Sequence, residues 1–128
     1  MASRADRLGK LLVLQQRLKE VHETRRAGFL AASARALEEA DDLRRRSDAA
    51  DSFSAVFPDL YSRHIADALA RSARESAKAD AEAKQIATAT IRANRVEQAW
   101  RTALGAEERQ AEDRERLELI EQRRAAEK

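Results

Sequence analysis

Ala49-Ala50-Asp51-Ser52-Phe53-Ser54-Ala55-Val56-Phe57-Pro58-Asp59-Leu60-Tyr61 is the one clear interruption in a chain that otherwise reads as helix. Asp51, Ser52 and Ser54 offer the backbone side-chain partners that compete with helical hydrogen bonds. Pro58 suits the first turn of a new helix, where a missing N–H costs nothing, and it biases Phe57 away from helical angles. The turn is therefore expected at about residues 50–58, between a helix over about 4–49 and a second over about 59–126.

Composition leaves little alternative to helices. Three glycines and one proline in 128 residues give too few turns for a sandwich, a barrel or a doubly wound sheet. Charged residues reach 38% and aromatics only 4%, the balance of long helices in a coiled coil. At the front, Ser3 and Asp6 have the spacing of a capping box in its weaker Asp form.

In the first helix an apolar or small stripe runs through Leu11, Leu14, Leu18, Val21, Phe29, Ala32, Ala36, Ala40, Leu43 and Ala50, interrupted at Arg25. In the second it runs through Tyr61, Ile65, Leu69, Ser72, Ser76, Ala79, Ala83, Ile86, Ala89, Ala93, Val96, Trp100 and Ala103 or Leu104. Both keep helical periodicity. Acid-then-base pairs four residues apart, such as Asp67–Arg71 and Glu97–Arg101, each add about 0.2–0.5 kcal/mol of helix support.

One stripe per helix and a short turn predict an all-α fold, an antiparallel two-helix coiled coil forming a single domain. Pairing about residue 54 sets Leu43 against Ile65, Phe29 against Ala79, and Leu8 with Leu11 against Glu97 to Trp100. At 1.5 Å per residue the second helix outruns the first, leaving residues 106–128 as a C-terminal helical overhang. An uncovered helix of that length is marginal in water, so the tail is expected to fray or to dock.

Motifs for chemistry are absent. There is no cysteine, so neither a disulfide nor a thiolate metal site arises. His22-Glu23-Thr24-Arg25-Arg26 starts like a zinc H-E-x-x-H but has Arg26 in the second histidine's place. The expectation is a non-enzyme without cofactor or metal. No segment approaches a signal-peptide core or a membrane span, which predicts a cytoplasmic protein. Arg44-Arg45-Arg46 raises nucleic-acid binding, but Glu38, Glu39, Asp41 and Asp42 precede the triplet and no aromatics interleave to stack bases.

Three segments are candidate contact surfaces. Phe53, Phe57 and Tyr61, with Val56 and Leu60, either cap the hairpin or anchor a partner, since aromatics are enriched at interface hot spots. Trp100 is either a clasp against Leu8 and Leu11 or a surface anchor. The tail, with Arg109, Arg114, Arg116, Arg123 and Arg124, is either frayed or a docking segment.

The opening Arg4-Ala5-Asp6-Arg7-Leu8-Gly9-Lys10-Leu11-Leu12-Val13-Leu14-Gln15-Gln16-Arg17 resembles that of the flagellar type III export protein family called FliJ. The midpoint interruption and the charged final helix resemble it too. The resemblance implies a stalk-like adaptor that engages the hexameric export ATPase, the export gate protein and substrate chaperones. It implies gate contact near Leu60, Tyr61, Ile65 and Leu69, and a place at the inner-membrane export apparatus reached only through partners. The chain is then a monomer or weak homodimer that binds no nucleic acid. A self-associating structural or regulatory coiled coil, joined through the alanine-rich stripe, is the alternative.

Overall fold

A computed structural model describes residues 2–49 and 55–127. Two α-helices make up nearly all of it, α1 over Arg4–Asp48 and α2 over Pro58–Glu127, and no strand occurs among the described residues. The helices pack antiparallel as a hairpin, as the stripes predict. Their contacts divide the chain into two compact units, one of Met1–Leu18 with Ala89–Lys128 and one of Lys19–Thr88.

Each helix starts where the sequence places a cap. Ser3 and Asp6 form the reciprocal box: the Asp6 N–H donates to Ser3 Oγ at 3.1 Å, and the Ser3 N–H donates to Asp6 Oδ2 at 3.2 Å. The second begins at Pro58, one residue before the expected start. The Leu60 and Tyr61 N–H groups turn back to the Phe57 carbonyl at 3.2 and 3.5 Å, which makes Phe57 the residue that opens α2. Gly105 does not interrupt α2, which continues to Glu127.

In the unit Lys19–Thr88 the contacting face of α1 is Lys19, His22, Phe29, Ser33, Ala36, Ala40 and Leu43, opposite Tyr61, Ile65, Ala68, Ser72, Glu75, Ala79, Glu82 and Ile86 of α2. Spacings alternate between three and four, apart from one full turn skipped at exposed Arg26, which is the seam of a heptad coiled coil. Small residues dominate it; Ala68 is 0% exposed and Ala79 1%. They let the backbones come close enough for Ser33 Oγ to donate to the Ser72 carbonyl at 3.1 Å, with the two hydroxyls 2.9 Å apart. Polar contacts supplement this seam along its length and flanks. His22 Nδ1 lies 2.5 Å from Glu82 Oε2, Arg71 reaches across to Glu39 at 2.9 Å, and Lys78 sits over the Phe29 ring.

In the unit Met1–Leu18 with Ala89–Lys128, α1 contributes Ala5, Leu8, Leu12 and Gln15, and α2 contributes Ala89, Ala93, Val96, Trp100, Ala103 and Glu107. The same three-four alternation holds. Glu107 Oε1 accepts the Ala5 N–H at 3.4 Å, so a carboxylate of α2 adds its charge to the positive start of α1.

Part of the expected stripe is displaced. Leu11, Leu14, Leu18 and Val21 are exposed, and the seam instead runs one position away through Leu8, Leu12, Gln15, Lys19 and His22. Leu69 is likewise exposed, with Ala68 taking its place. At residue 68 the close helix approach selects alanine and leaves Leu69 outside, whereas in α1 the seam takes Leu12 in place of an identical Leu11, so size does not decide there.

Candidate partner-binding surfaces

The candidate residues fall in separate units and do not converge on one site. In Lys19–Thr88, Phe57 and Leu60 are about half exposed, at 53% and 48%, while Tyr61 and Ile65 are partly covered by the seam. A cavity of about 420 Å³ opens here, lined by Leu43 and Arg46 of α1 and by Phe57, Leu60, Tyr61 and His64. Its walls combine an aromatic pair with a guanidinium and an imidazole, surfaces that suit an apolar side chain carrying a polar end. Phe53 lies outside the described residues.

Trp100 belongs to the other unit and is half-buried, its indole lying over Gly9. Arg109, Arg116, Arg123 and Arg124 are all exposed on α2. Arg116 and Arg123 flank Leu119 and Ile120 on that helix surface. From residue 108 to 127 every residue is exposed, which is the overhang the helix lengths predict.

Two arginines of the triplet are engaged locally. Arg44 pairs with Asp41 at 3.9 Å, and Arg45 pairs with Asp42. The hydrogen bond from Arg45 to Asp42, reinforced by the charges of Asp42 and Asp41, raises the Arg45 pKa above its ordinary value. Among the described residues no group of three potential metal ligands is found, and no helix is long and apolar enough to cross a membrane.

Leu11, Leu14 and Leu18, assigned to the seam by periodicity, form an exposed apolar row beside it. Together with Arg4, Arg7, Lys10 and Arg17 they give the start of α1 a mixed apolar and basic face. Two stripes one position apart, both spaced three and four, compete over residues 5–21, and the contact with α2 takes the one through Ala5, Leu8, Leu12 and Gln15.

Comparisons with protein-family models, with curated proteins and with solved structures find no match to this chain.

Proposed function

We propose that this chain is a non-catalytic, stalk-like adaptor of a flagellar type III protein export apparatus, acting in the cytoplasm on the hexameric export ATPase. One observation carries the reading: the segment whose sequence resembles the FliJ family, residues 4–17, forms an antiparallel pair with residues 89–107 of α2. Both helix ends that a ring would receive thus sit in one unit. They are tied by the Ala5–Glu107 hydrogen bond and by Trp100 over Gly9.

In this reading the adaptor acts by contact. The exposed α2 extension, with Arg109, Arg116, Arg123 and Arg124, is the segment it offers to the ring. The export gate protein and substrate chaperones engage the other unit, where Phe57 and Leu60 are exposed beside Tyr61, Ile65 and Leu69. The protein reaches the inner membrane only through these partners.

The test is titration of the chain into the flagellar export ATPase of the same source, reading ATP turnover and ring assembly together. Stimulated turnover with hexamer formation supports the adaptor role. No effect on either, with both proteins folded, removes it.

A further inference from the structure

Two surfaces of the unit Met1–Leu18 with Ala89–Lys128 lack a cover and complement one another. The first is the row Leu11, Leu14 and Leu18 on α1. On the helical wheel Arg7 precedes it on the same face, and Lys10 and Arg17 line one edge. The bases Arg4, Arg7, Lys10 and Arg17 face a single acid, Asp6, in this stretch. The second surface is the end of α2, where Leu117 and Ile120 are exposed one turn apart. Asp113 lies one turn before them and Glu121 beside them on the same face.

We infer that the α2 extension of one copy lies along the Leu11–Leu14–Leu18 row of a second copy, with the exchange made reciprocally in a two-fold dimer. Three physical points support this occupant. A lone helix of about 20 residues is marginal in water, and nothing of its own chain covers residues 108–127 of α2, so a partner surface would stabilise this extension. The spacings match: set parallel, Leu117 and Ile120 fall against the leucine row. Charge favours this register at two points, Asp113 against Arg7 and Glu121 against Lys10 or Arg17, while Arg124 ends the face one turn after Ile120, beyond the apolar pair. The extension, at about 1.5 Å per residue over 20 residues, is also long enough to pass the whole row. A two-fold exchange uses each surface once and closes, so the assembly stops at the dimer.

This pairing and the ring contact draw on the same α2 extension and so exclude one another, and the pairing is tested on the full chain alone. Sedimentation equilibrium of the wild type is expected to show a monomer–dimer equilibrium that weakens as salt rises. Leu14→Glu and Leu117→Glu are both at exposed positions, and circular dichroism monitors their helical fold. Each is expected to weaken dimerisation about tenfold or more. An equimolar mixture of the two variants supplies the diagnostic result. In the mixed dimer one contact joins an intact extension to an intact leucine row, so mixing is expected to recover part of the lost association. A monomer at every concentration overturns the proposal. So does a dimer indifferent to both substitutions, or a mixture no stronger than either variant alone.

Discussion

A β-carbon built on Gly9 would stand 3.2 Å from Nε1 of Trp100, so the missing side chain at residue 9 admits the indole to the flank of α1. Gly28 has nothing within 4 Å of the same position. Glycine in a helix interior costs about 0.8–1 kcal/mol relative to alanine, so the two sites should respond differently. Gly28→Ala is expected to raise stability by about that amount. Gly9→Ala should gain less, because the indole must shift. Gly9→Val adds branching that the indole cannot avoid and should cost about 1–3 kcal/mol, read by chemical denaturation.

Trp100 is half-buried rather than enclosed. Full burial of an aromatic makes its truncation cost about 3–5 kcal/mol; at this exposure Trp100→Ala should cost roughly 2 kcal/mol. The loss should appear as faster amide exchange in residues 4–18 before it appears in the region around Ser33. Uniform loss of protection along the chain would contradict that placement.

Ser33 and Ser72 place two hydroxyls in a seam whose other buried residues are Ala36, Ala40, Ala68 and Ala79, and each hydroxyl is the other's partner. Removing one should cost about 0.5–1.5 kcal/mol, whereas replacing both by alanine should be near neutral or stabilising. A double-mutant cycle in urea measures this. Additive single costs would show that the hydroxyls do not interact.

The reciprocal Ser3–Asp6 box opens α1 beside the Glu107 carboxylate. Ser3→Ala is expected to cost about 1 kcal/mol and to fray the first turn. Glu107→Gln should add a smaller loss by weakening the charge at the positive helix end. Amide exchange at Ala5 and Asp6 reports both.

Much of this architecture is written in short-range signals. Ser3, Asp6 and Pro58 mark the helix starts, and the series from Tyr61 through Ile65, Ala79 and Ala93 to Trp100 follows one face, with Ala68 rather than Leu69 as the one displaced member among the apolar positions. The first third of α1 is ambiguous for the opposite reason. Leu11, Leu14 and Leu18 are as periodic as Ala5, Leu8, Leu12 and Gln15, and bulk alone favours the wrong set. The choice depends on how closely α2 approaches, which is a property of both helices. His22 is a similar case: its place in the seam depends on Glu82, 60 residues away. Of the candidate surfaces, exposure at Phe57 and Leu60 follows from their position at the start of α2. The free leucine row becomes visible only after pairing assigns the seam to its neighbours.

The helix pairing is the central claim, and the chain's lack of cysteine makes it directly testable. Ser33→Cys and Ser72→Cys should be introduced together and the dilute protein oxidised, then resolved without reductant. Because the hydroxyls stand 2.9 Å apart, the two thiols are expected to close an intramolecular disulfide, giving a monomer of altered mobility whose helical content is unchanged. Free thiols after oxidation, or disulfide-linked dimers alone, would contradict the antiparallel register in which α1 and α2 meet.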